Sequence, residues 1–415
     1  MQLLTLFQVG ATPRYGEDEK AALGGNLVSQ RAFLTAMITD HCIRHRATLE
    51  IRFAASADGA INSFVGLHGD DLDAGEPEGP STKLVARLLP ADYGWRLSND
   101  LKAYNGGIRA PVHVARVIRT AQIMDLPYVP PDPRGTTSHA FDSLRIVPGS
   151  PLGGIASARL KRAFPDIEEG PQQFDEKRLC LPFLGSLNGW RAEMRVLFEQ
   201  MLANRPAIIS IGLRPLQEEE LDESRLLAAG WRRMLAPALG SLANSGFADA
   251  ASLSRTFDRF AMPAAYLVQA SIKCAALSAE SAAGVASVLA ACLGGSTGFE
   301  IRHPSRSANV RDLPTMYCDY PVPGQPPSDA ADLRNDQRER LLADGVVLQE
   351  DDPALEFMAR VNHIYTLDEI HSVVELPIAD DHGLPGMITR PVPPFPTPWT
   401  PGDEAAHPVV RIDPM

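Results

Sequence analysis

The sequence predicts a mixed α/β protein: two small sheet-plus-helix units followed by a proline-rich C-terminal connector. Apolar residues recur at helical spacing in some stretches and alternate in others. The two patterns interleave along the chain instead of segregating, which is the mark of sheets covered by helices. Proline and glycine are frequent from Asn105 to Gly154, and proline is densest after Gly386. The divisions fall at 1–150 for a first unit with irregular loops, 151–310 for a second unit of order β-α-α-β-α-β, 311–390 for a helical connector, and 391–415 for a tail.

In the first unit, Leu27, Phe33, Leu34, Met37 and Ile38 are spaced for an amphipathic helix from about Asn26 to about Arg46. A strand follows in which Leu49, Ile51 and Phe53 alternate with Glu50 and Arg52. Asp58-Gly59 then separates it from the apolar run Ile61 to Leu67, a strong hairpin signal. Ser81 is placed to cap a helix carrying Leu84, Val85, Leu88 and Leu89. Val112, Val114, Val117 and Ile118 predict a strand, and Asp132-Pro133-Arg134-Gly135 a turn.

The second unit opens on a helical stripe of Trp190, Met194, Leu197, Phe198, Met201 and Leu202 that stops at Asn204-Arg205-Pro206. A strand from Ala207 to Leu213 comes next, then Glu218, Glu219, Glu220 and Asp222, placed for the first turns of a helix. Pro237 should kink or end that helix, and another runs from about Asp249 to Phe260. Tyr266 to Cys274 alternates as a strand, Ser278 to Leu293 is an Ala-rich helix, and Phe299 to Arg302 is a last strand. In the connector, a helix from Pro353 to Val361 precedes Thr366-Leu367-Asp368-Glu369. This is a capping box opening a short helix that ends before Leu376-Pro377. No internal repeat is evident.

Composition narrows the function. The chain has 415 residues, 45% hydrophobic and 22% charged, with a net charge of −12. That balance opposes a generally basic, DNA-coating surface, since non-specific DNA affinity comes mainly from Lys/Arg–phosphate contacts. Five cysteines without a C-x-x-C pair fit buried thiols in a reducing compartment. With no apolar run of membrane-spanning length and no signal-peptide pattern, the expected location is the cytoplasm.

The catalytic motifs fail one by one. None of Lys20, Lys83, Lys102, Lys161, Lys177 and Lys273 is followed by Ser or Thr, so the chain has no Walker A motif and is not a P-loop nucleotide hydrolase. Gly294-Gly295-Ser296-Thr297-Gly298 matches a nucleophile elbow in letters only, because a helix precedes it and a strand follows, the reverse of what that elbow needs. His41 and His45 have metal-ligand spacing but no nearby third ligand. The acidic loop Asp70 to Glu78 breaks calcium-loop spacing at Gly75 and Pro77. No cofactor is expected. Arg302, His303, Arg306 and Arg311 form one compact basic segment that could meet phosphate or an acidic partner.

The C-terminal third carries a resemblance. Tyr365-Thr366-Leu367-Asp368-Glu369-Ile370, then Val374-Glu375-Leu376-Pro377, then Gly383-Leu384-Pro385-Gly386, resembles the connector before the ATPase core in HerA/FtsK-type proteins, above all the TraC-like conjugation ATPases and their relatives in bacterial conflict systems. Leu181-Pro182-Phe183-Leu184-Gly185 and Ile208 to Pro215 are similar to that family's N-terminal region. The family continues into Walker A, whereas this chain runs into prolines and stops at Met415. No ATPase residue therefore carries over, and the motor is expected as a separate chain or as a missing C-terminal domain. The resemblance implies a non-catalytic accessory or assembly module in an oligomeric complex, serving antiphage defence or DNA transfer, with DNA contact indirect or weak. Leu367, Ile370, Val374, Leu376, Pro377, Pro385 and Gly386 are its candidate partner-docking residues. The alternative is an enzyme whose site is assembled from distant residues such as His41, Asp92, Tyr93 and Arg302.

Overall fold

Asp58-Gly59 closes the first hairpin as its sequence predicts. Gly59 takes a φ of 92°, where any side chain would be strained, and Ser56 N–H donates to Ala60 O at 2.8 Å across the turn. The computed structural model describes residues 3–16, 19–69, 80–120, 122–127, 178–189, 193–221, 224, 225, 228, 255–294, 298–302, 310, 313 and 361–392. The turn at 132–135, Pro237 and the helix beginning at Pro353 lie outside them.

Strands β1 (Leu3–Val9) and β2 (Thr12–Arg14) lead into helix α1 (Lys20–Ala36), which widens through a π turn at Met37–Cys42 and ends at Ile43–His45. The hairpin is β3 (Thr48–Ala55) and β4 (Ile61–Gly69), followed by α2 (Pro80–Leu88), β5 (Trp95–Leu97) and the short α3 (Leu101–Tyr104). Then come β6 (His113–Thr120), β7 (Gln122–Pro127) and β8 (Arg178–Phe183), the last two paired with each other. The second half supplies α4 (Met194–Ala203), β9 (Ala207–Pro215), β10 (Leu267–Ala276), α5 (Ala279–Leu293) and β11 (Gly298–Arg302). Ser278 caps α5 by accepting from Ser281 N–H at 3.1 Å. β12 (Ile364–Thr366), α6 (Leu367–Val373) and β13 (Thr389–Pro391) complete the set. The glutamates at 218–220 form a single 3₁₀ turn, with Glu220 turned back to pair with Arg214 at 2.9 Å.

The α/β class holds, but the two units do not make two sheets. Their strands form one antiparallel sheet in the order β11-β6-β10-β9-β3-β4-β1-β5, with β12 also alongside β10. The seam is β3 against β9, in register from Leu49↔Leu213 to Ala55↔Ala207. Each is the outer strand of its own unit, and joining them removes two open edges at once.

The strand order also reveals a repeat that the residues conceal. The first half runs β1-α1-β3-β4-α2-β5 and the second β6-α4-β9-β10-α5-β11, each a βαββαβ chain order. Counted outward from the seam, the first half reads β3, β4, β1, β5 and the second β9, β10, β6, β11, which are equivalent strands in the same sequence. The matched strands share no motif, because both faces of the sheet are covered and each position answers to its own neighbours.

One face carries α1, α2, α4 and α5. Leu49, Ile51, Phe53, Ile209, Ile211 and Leu213 meet Phe33 and Leu34 of α1, Val85 of α2, Phe198 of α4 and Leu289 of α5 in one apolar core. On the other face Leu6, Ala54, Phe64 and Ile208 meet Tyr104, Ile108, Val112, Val310 and Leu313.

Residues 361–392 form a strap across both halves. β12 pairs with the start of β10, and β13 runs parallel to β2, Thr389 opposite Thr12. Gly386 O accepts from Ile61 N–H at 2.7 Å. A Cβ on Gly386 would stand 2.9 Å from Gly59 O, so only glycine permits this approach. Ile364, Tyr365, Ile370, Val373, Val374 and Leu376 are buried, each worth about 1.5–3 kcal/mol relative to exposure. The strap therefore belongs to the body. Truncation after Arg360, or Leu367→Asp with Ile370→Asp, is expected to abolish the cooperative thermal transition, because both remove or charge a buried apolar surface. A truncated chain that kept the wild-type melt would disprove this.

Helix α1 begins six residues before the position expected from its apolar spacing, and so includes Gly24 and Gly25. Both are exposed, and a Cβ at either would meet nothing within 4 Å. Gly24→Ala and Gly25→Ala should each raise the unfolding free energy by about 0.5–1 kcal/mol, since glycine gives up more backbone entropy in a helix. Denaturant melts check this, and a lower midpoint in either variant would contradict it.

Candidate functional site

Strand register sets one row of side chains across the face opposite α1, α2, α4 and α5. It reads Arg302, Arg116, Lys273, Ser210, Arg52, Phe64, Gln8 and Arg96, each directly opposite the next. Residues opposite each other in an antiparallel ladder share a face, so five cations lie in one line. Lys273 Nζ donates to Leu313 O at 2.8 Å. Arg302 pairs with Glu300 on its own strand at 3.1 Å, and Arg96 donates to Gln8 Oε1 at 2.6 Å.

Glu50, two residues before Arg52 on β3, anchors the middle of this face. Its Oε1 accepts from Arg52 Nε at 2.7 Å and from Ser210 Oγ; its Oε2 accepts from His68 Nε2 at 2.9 Å and from Tyr104 OH. A carboxylate only accepts, so His68 carries its proton on Nε2. Arg52 also donates to Tyr104 O and Asn105 Oδ1, and its guanidinium lies 3.7 Å from the Tyr104 ring centroid. Burial pushes the Glu50 carboxyl upward, but Arg52, His68 and Ser210 outweigh it and hold the group well below the usual carboxylate range. Burial, with Glu50 beside it, raises the Tyr104 phenol well above its ordinary value. With two donors on each oxygen, Glu50 has no lone pair left to take a substrate proton. It is a structural anion.

A second ionic centre lies under the strap. Arg119 of β6 and Arg259 converge on Glu369, with Arg119 Nη1 2.9 Å from Oε1 and Arg259 Nη1 3.1 Å from Oε2. Both guanidiniums also donate to Ile364 O, at 2.6 and 2.9 Å. Glu369 completes the capping box by accepting from Thr366 N–H at 2.8 Å. Burial raises the carboxyl, but Arg119 and Arg259 outweigh it and bring the pKa down to about 2.

A neutral network holds the turn that follows. Gln30 Nε2 donates to Asn26 Oδ1 and to Tyr93 OH, both at 2.8 Å, and Gln30 Oε1 accepts from Leu376 N–H at 2.9 Å. Asp92 accepts from Tyr15 OH at 2.8 Å and from Asn26 Nδ2 at 3.1 Å. Burial, followed by Asp92, raises the Tyr15 phenol.

These placements correct the docking expectation. Leu367, Ile370, Val374, Leu376 and Pro377 are buried in this chain's own core, because α6 and its turn fill the gap between α1 and β10. They cannot serve as an open docking surface. Of the candidate docking residues only Pro385, half-buried, and Gly386, exposed, reach the surface, beside Ile388 at 75% exposure. In the basic segment Arg302 is half-buried on β11, while His303, Arg306 and Arg311 lie outside the described residues.

The scattered catalytic set does not converge. Asp92 and Tyr93 share Asn26 as a neighbour next to β5, whereas Arg302 is on β11 at the opposite end of the sheet. Seven strand spacings, roughly 33 Å, separate those ends. His41 lies on the π turn of α1, its ring 4.6 Å from that of His45.

Sequence reasoning missed Glu50, Arg52, Arg119 and Arg259. Alternation set Glu50 and Arg52 on the side of β3 away from Leu49, Ile51 and Phe53, and the structure buries that side too. The available signal was their opposite charge two residues apart in an apolar strand. Cys42, Cys274 and Cys292 are buried free thiols, and burial pushes Cys42 up to about 12. Among the described residues no three His, Cys, Asp or Glu side chains group to hold a metal, and no helix is long and apolar enough to cross a membrane.

The fold defines a class, two βαββαβ units fused through one sheet and strapped by a C-terminal segment. No family model, curated protein or solved structure matches the chain.

Glu50→Gln should cost about 3–5 kcal/mol, because it leaves Arg52 buried without its counter-charge. Glu50→Leu combined with Arg52→Met should recover part of that loss, since the Arg52 charge is then gone, while Ser210, His68 and Tyr104 still lose their acceptor. Urea unfolding of the single and double variants decides; a double variant no better than Glu50→Gln would refute the account.

Glu369 generates a pH prediction. Its folded pKa lies below the ordinary 4.5 at about 2. Its contribution is therefore complete above about pH 5 and disappears as pH falls from there towards 2. The gap in melting temperature between wild type and Glu369→Gln should accordingly narrow over that window. A gap that stays constant from pH 6 to pH 2 would show that the ion pairs are not its source.

Proposed function

We propose that this chain is a non-catalytic accessory or assembly module that works beside a HerA/FtsK-type DNA-translocating ATPase in antiphage defence or DNA transfer. The observation that carries the reading is the place of the connector-like motif within the fold. The capping box at Thr366–Glu369 and the Leu376-Pro377 turn, which resemble the family's connector, are clamped by Arg119 and Arg259 of the second half and Gln30 of the first. A module that positions a motor benefits from such bracing, because a displacement at the strap is then shared by the whole sheet. The saturated oxygens of Glu50 favour a supporting role for the best-formed polar centre over turnover.

On this reading the partner meets the outer side of the strap, at Pro385, Gly386 and Ile388. Co-purification with a Walker-containing ATPase of the HerA/FtsK type is the test. Wild-type protein should capture the motor and hydrolyse no ATP alone. Ile388→Asp should keep the wild-type melt yet lose most of the capture, since an exposed side chain contributes little to folding and a carboxylate at an apolar contact is costly. Undiminished capture by Ile388→Asp would remove the strap from the interface. Failure of wild type to capture the motor, or ATP hydrolysis that tracks with this chain, would overturn the function itself.

A further inference from the structure

We draw no further inference here: the strongest candidate, the outward face of α1 around Val28, where Gly24 and Gly25 leave open space above the helix, is an unpartnered face, and nothing in the structure shows what covers it.

Discussion

Glu50 is a fully buried carboxylate at the seam between the two halves, and a charge in that position must be met on every side or not form. Its partners come from both halves: Arg52 and His68 on β3 and β4, Tyr104 on α3, and Ser210 across the seam on β9. This makes the seam register-specific. Sliding β9 by one residue would turn Ser210 to the other face and bring an isoleucine against the carboxylate. Apolar pairs such as Ile51↔Ile211 tolerate such slips far better, because apolar contact has no direction. The apolar faces supply the drive to associate, and the anion selects the alignment.

The strap applies the same logic to the chain end. Its buried side chains fill the groove between α1 and β10, and the Arg119–Arg259–Glu369 centre fixes where they lie. Glu369 serves twice, as the capping residue that starts α6 and as the counter-charge to two interior arginines. Helix start and helix docking are thereby one event. A seven-residue helix would not persist alone, so α6 exists because the body holds it.

Much of the fold was legible because it rests on local rules. Asp58-Gly59 and the capping box at Thr366 each act within a few residues, and both hold in the structure. The docking residues were misjudged for an equally physical reason. Leu367, Ile370 and Val374 at helical spacing state that one side of α6 is buried without stating against what. Gln30, more than 300 residues away, supplies the answer.

From its sequence alone this protein had determined its α/β class, most of its strands and helices, its hairpin turn, its capping box at Thr366 and its lack of a Walker A motif. Each depends on neighbours in the chain. Tertiary structure decided that two units share one sheet, that the halves repeat one topology, that Glu50 and Arg52 face inward, and that the connector is a strap. Those outcomes depend on which surfaces cover one another. An alternating strand reads the same whether its polar side meets water or a second layer, and only the folded chain brings Tyr104, Ser210 and His68 to Glu50.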